Sequence, residues 1–120
     1  MKYMLLIYGN EEVWASFPRK EFAEIVRDTD ALNAELFESG ELVGAYGVAD
    51  QVNAKMVRVT DGVPAVTDGP YLEAKEFLGS FTILDCESLE RALEIAARNP
   101  ASRYFGVEVR PLMHEADHPM

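Results

Sequence analysis

From Pro18 to Gly40 the inward-directed side chains fall three and four residues apart, and this spacing limits the fold more than any other feature of the chain. Phe22, Ile25, Val26, Thr29, Leu32, Asn33, Leu36 and Phe37 share one stripe, which predicts a helix over 18–39. Pro18 suits its first turn, and Gly40 suits the position just past its end. The same period returns after Ser88, a capping residue. There Leu89, Ala92, Leu93, Ala96 and Ala97 form a second stripe, which Asn99-Pro100 ends. Glu87/Arg91 and Glu94/Arg98 are spaced as i,i+4 ion pairs on the wet side of that helix.

Elsewhere the apolar residues come in runs of strand length. "KYMLLIY" (2–8) is closed by Gly9-Asn10 and reads as a strand buried on both faces. "ELVGAYGVA" (41–49) is a second strand, loosened by Gly44 and Gly47. In "KMVRVTDGVPAVTDG" the pair Asp61-Gly62 separates two valine-rich arms, a strong hairpin signal, and Pro64 places the returning arm at a sheet edge. "EFLGSFTILD" (76–85) and "YFGVEVRPL" (104–112) supply the last two strands. With the hairpin set aside the order is β-α-β-β-α-β, an α+β chain of the split-βαβ or ferredoxin-like kind. Both helices are expected on one face of a four-stranded antiparallel sheet. The strands are apolar on both faces, however, and a sheet open to water on one side alternates more cleanly. A second copy of the chain is the simplest cover, so the pattern predicts a homodimer packed sheet face to sheet face. One domain over 1–112 is expected, with a loose tail over 113–120.

Charge narrows the partners. The 21 acidic residues outnumber 11 basic ones, and a net charge of −10 repels phosphate backbones, which argues against nucleic acid. No apolar run is long enough to span a bilayer, and "MLLIY" is too short for a secretory core, so a cytoplasmic protein without a membrane partner is expected. Cys86 is the one cysteine, which excludes an internal disulfide, and its place at a strand end suits a small packed side chain. Trp14 and Phe17 are expected to staple the start of the first helix.

The densest group of ionisable residues lies in "VTDGPYLEAKEFLGSF" (66–81). Asp68-Gly69-Pro70 has the composition of a turn, which accounts for Asp68 as a backbone organiser. No turn requires Glu73, Lys75 and Glu76. In extended chain Glu73 and Lys75 point to one side, where a carboxylate beside an ammonium can hold a zwitterion or polarise a carbonyl. A partly buried Lys75 would serve as a base; a wet one would be no more than a weak ion pair. Thr29 and Asn33 interrupt the apolar stripe of the first helix, and Tyr8 at the end of the first strand could add a phenol to the same cavity. Each is also explained as core or rim. His114 and His118 share a helical face by spacing, yet "HEADHPM" offers no third ligand, so no metal is expected. The chain has no GxGxxG after a strand, no Walker A loop and no GxSxG elbow, and no cofactor is expected.

Three segments, "KYMLLIYGNE", "VTDGPYLEAKEFLGSF" and "SLERALEIAARNPASRYFGVEVRPL", together resemble the DGPF-type branch of the YCII-related proteins over almost the whole chain. The resemblance implies a dimeric α+β barrel built on a ferredoxin-like unit. It implies that Glu73, Lys75 and Glu76 fall on a "DGPFxExKE" pattern, which raises their standing as site residues. Members look like small-molecule enzymes or binders, and DGPF-type members are associated with alternative sigma factors. Two departures stand out. Tyr71 replaces the phenylalanine after "DGP", adding a hydroxyl. Shorter members resemble one another in carrying a histidine in the first helix, and that position is Thr29 here, so their histidine chemistry does not transfer.

The expectation is therefore a homodimer that binds a small polar metabolite under the DGP corner, with proton transfer or elimination as the chemistry open to it. Lys75 and Glu73 would be catalytic. Tyr8, Thr29, Asn33, Asp68, Tyr71 and Glu76 would bind the ligand. The rival expectation is an accessory protein that contacts a partner such as a sigma factor through its acidic surface.

Overall fold

The computed structural model of the protein describes residues 1–68 and 76–116. Its elements in chain order are β1 (Lys2–Gly9), α1 (Glu11–Ser16), α2 (Arg19–Ser39), β2 (Leu42–Gly47), β3 (Lys55–Thr60), β4 (Val63–Asp68), β5 (Phe77–Asp85), α3 (Leu89–Arg98) and β6 (Glu108–Pro111). β2, β5, β1 and β6 form an antiparallel sheet in that order, and β3 and β4 form a separate two-stranded ribbon. The result is an α+β chain whose main sheet is compatible with a ferredoxin-like fold. Among the described residues, no helix is long and apolar enough to cross a membrane.

Local chemistry explains the boundaries. Gly40 ends α2 in the left-handed conformation at φ 83°, and its N–H reaches back to the carbonyls of Leu36 and Phe37. Pro18 is the cap before α2, one position earlier than the first turn expected of it. Ser88 caps α3 by accepting from Arg91 N at 3.1 Å. Asp61 and Gly62 both take positive φ, 52° and 78°, the conformation that a tight two-residue hairpin requires.

Strand alternation decides which residues meet the helices. In β1, Tyr3 and Leu5 point to one side and join Leu32 and Leu36 of α2, Leu84 and Cys86, and Ala92, Ile95 and Ala96 of α3. Leu36, Leu84 and Ile95 are 1%, 0% and 1% exposed and form the centre of this core. The helix stripes are narrower than their spacing predicts. Phe22, Val26, Phe37, Leu89 and Leu93 are exposed, whereas Ile95 is sealed. Among the described residues, the helix arginines pair otherwise than at the expected i,i+4 spacing. Arg91 binds Glu41 at long range and Glu94 at i,i+3, and Arg98 binds Glu35 at long range.

Before α2, the chain turns once more than its spacing suggests. Asn10 accepts from Glu12 N at 2.9 Å and caps the short α1, which carries Trp14 into an aromatic cluster. Trp14 lies against Phe105 at 4.9 Å and Phe22 at 5.8 Å, while Phe17 meets Tyr104 at 4.9 Å. The contact to the first turn of α2 thus comes from Trp14. The close approach of its indole requires glycine at position 9, where a Cβ would sit 2.5 Å from Trp14 Nε1.

Candidate functional site

The other face of the sheet is also largely apolar, and among the described residues no helix lies over it. Register places Tyr46, Phe81, Leu6 and Glu108 side by side across the four strands, with Gly44, Ile83, Met4 and Arg110 in the neighbouring row. Tyr46 is 54% exposed and its ring lies 5.3 Å from that of Phe81. Gly44 makes room for it, since a Cβ there would meet the Tyr46 hydroxyl at 2.5 Å. Glu108 and Arg110 alternate with Val107 and Val109, which pack on the helix side, so β6 gives the open face its polar margin.

Tyr8 belongs to this open face, with Met4 and Leu6. Its hydroxyl donates to Glu108 Oε1 at 3.3 Å. A register shift after Ile7 sets Tyr8 opposite Leu78 and Gly9 opposite Phe77, so β5 begins beside the end of β1. Glu76, exposed and immediately before Phe77, therefore arrives at the Tyr8 end of the sheet.

Thr29 and Asn33 are half-buried on α2, on the far side of the sheet from Tyr8. Within one chain they do not share a cavity with it, contrary to the common pocket read from the sequence. Asp68 ends β4 fully in solvent and accepts from Lys55 Nζ at 2.7 Å across the ribbon. That bond holds its carboxyl below the usual range. Tyr71, Glu73 and Lys75 lie outside the described residues, as does His118. The corner is thus fixed at its two ends, Asp68 and Glu76.

Two open grooves follow α2. One, of about 440 Å³, is lined by Lys20, Glu21, Glu24, Asp28, Arg103 and Tyr104 among others. Tyr104 donates to Glu21 at 2.8 Å, a bond that raises the phenol above its ordinary pKa. The other, of about 420 Å³, lies between Asp28, Glu35 and Arg98. Neither is lined by a residue expected from the sequence to bind ligand or act in catalysis. Among the described residues no group of three or more histidine, cysteine or carboxylate side chains is placed to hold a metal. Cys86 is buried, and loss of solvent pushes its thiol pKa up, which disfavours a nucleophile.

Sequence reasoning found Tyr8 but missed Glu108, Arg110, Tyr46 and Phe81. The alternation in "GVEVRPL" carried the signal for the first two. The last two needed the pairing register of β2 on β5.

Comparison with known proteins agrees with the pattern of segments. The sequence model of the YCII-related domain matches residues 1–115. An uncharacterized protein of Rhizobium meliloti (strain 1021) is 34% identical over 116 residues, covering 93% of this chain and 92% of its own length. The chain belongs to the YCII-related family.

Proposed function

As the function of this family member, we propose homodimeric binding of a small anionic or zwitterionic metabolite between two facing sheets, in a dimeric α+β barrel. One observation carries the reading: an apolar sheet face without helices ends in a polar group, Tyr8, Glu108 and Arg110, at the margin of an aromatic strip. A second copy would exclude water from that strip, and polar groups in a dry apolar cleft orient a ligand without much competition from solvent. Arg110, which makes no ion pair among the described residues, offers a guanidinium to a carboxylate. The Tyr8–Glu108 pair offers an acceptor to an ammonium or hydroxyl. Glu76 reaches the same end of the sheet, and Lys75 and Glu73, which precede it in the sequence, would act as a further anion anchor and its carboxylate partner in this reading. If the cleft desolvates Lys75, the same pair supplies a base for proton transfer.

A thermal-shift screen of wild type and Lys75→Ala against small carboxylates, amino acids and phosphates tests this. A ligand at about a hundred times its Kd adds about 2.7 kcal/mol, several degrees for a domain of this size. Stabilisation of the wild type that Lys75→Ala abolishes supports the site. A panel that moves neither protein counts against it. It would then favour the accessory role, for which the acidic α2 surface and the exposed Phe37 offer a protein partner, such as a sigma factor, a place to dock.

A further inference from the structure

One face of the β3–β4 ribbon carries adjoining apolar side chains and lies in solvent. Register sets Val57 opposite Val66 and Val59 opposite Pro64 on one face, and the three valines are 58%, 66% and 66% exposed. Lys55 and Asp68 close the same face at its base with an ion pair. An isolated two-stranded ribbon is marginal in water, so a face with four adjoining exposed apolar side chains needs cover. Its own chain gives little: the ribbon forms a sheet apart from the main one, and the radius of gyration, 16.9 Å, exceeds the roughly 14 Å of a compact chain this long.

We infer that the ribbon is a clasp: its valine face packs against a second copy of this chain, beside the facing sheets. This rests on the dimer proposed above. Charge selects the partner. The ribbon's ionisable residues, Lys55 and Arg58 against Asp61 and Asp68, sum to zero. Those on the strands of the open sheet face, Lys2 and Arg110 against Asp85 and Glu108, also sum to zero by register, and Glu115, ion-paired to Lys2, adds one negative charge beside them. Nearly all of the net charge of −10 therefore sits on the rest of the molecule, where two copies repel. The two near-neutral surfaces are also largely apolar and have no covering element among the described residues, and a two-fold axis lets each copy cover both on the other. A basic partner would be drawn to the acidic helices and leave the ribbon bare.

Two measurements on the full-length protein decide the matter. A photo-crosslinking amino acid at Val59 is expected to yield covalent dimers on irradiation, and the same residue at Glu90 on α3 is not. In sedimentation equilibrium, Val57→Lys/Val66→Lys is expected to raise the dimer dissociation constant at least tenfold while the helical circular dichroism stays as in wild type. A dimeric wild type whose Val59 cross-links stay within one chain overturns the clasp alone, as does an unchanged dissociation constant in the double variant. A wild type that is monomeric at all concentrations overturns the clasp and the sheet-to-sheet dimer together.

Discussion

Glu41→Gln should destabilise this protein in a pH-dependent way, and the size of the effect follows from one clamp. Arg91 Nε and Nη2 donate to the two Glu41 oxygens, each at 2.8 Å, and the side chains are only 24% and 18% exposed. Ser39 Oγ adds a third bond to the carboxylate at 2.9 Å. The clamp joins the chain between α2 and β2 to the first turn of α3, across fifty residues of sequence. These bonds, the Arg91 ones foremost, lower the Glu41 pKa from 4.5 to about 2. At face value that shift is worth about 3 kcal/mol. Solvent reaches both side chains, so about 1–2 kcal/mol is the expected loss. For a chain of this length the Tm should fall by about 4–8 °C. Because the folded-state pKa lies below the unfolded one, the contribution is complete above about pH 4.5 and fades as pH falls toward about 2. Calorimetry of both proteins between pH 7 and pH 2.5 reads it: a gap constant at neutral pH and closing in acid. A gap under a degree at pH 7, or one that persists unchanged in acid, refutes the reasoning.

Leu36→Ala removes a side chain 1% exposed at the centre of the core and should cost about 2–5 kcal/mol in urea unfolding. Gly9→Ala forces Trp14 off its seat against Phe105, which should lower the Tm and red-shift tryptophan emission as water reaches the indole. Cys86 should react with a thiol reagent at pH 8 many times more slowly in the native protein than in denaturant, since burial raises its pKa and blocks access.

What the sequence discloses is what is decided locally. The α2 span, the Gly40 stop, the Ser88 cap and the Asp61-Gly62 turn each depend on a few neighbouring residues, and each is where its spacing put it. Arg91 illustrates the limit. Spacing offered it Glu87 one turn back, yet the geminal bonds of a guanidinium fit Glu41, which only tertiary packing brings near. Tyr8 illustrates another. Parity along β1 puts it with Leu6, but both parities are apolar, so the side facing the helices could not be read from β1 alone. Tyr46 required the register shift between Leu42 and Gly44, which moves the rest of β2 relative to β5. Local spacing set Thr29 and Asn33 on the same helix face correctly; that this face lies across the sheet from Tyr8 is a property of the whole fold.

The central claim is that ligand binds on the helix-free face of the sheet. The most direct measurement is an NMR titration of isotope-labelled protein with the strongest compound from the thermal-shift panel, followed through backbone amide and aromatic signals. The account predicts saturable shifts at Tyr8, Phe81, Glu108 and Arg110, with the signals of α2 and α3 nearly still. Shifts confined to Glu21, Glu24, Asp28 and Tyr104 would place the ligand in the groove along α2 and contradict it.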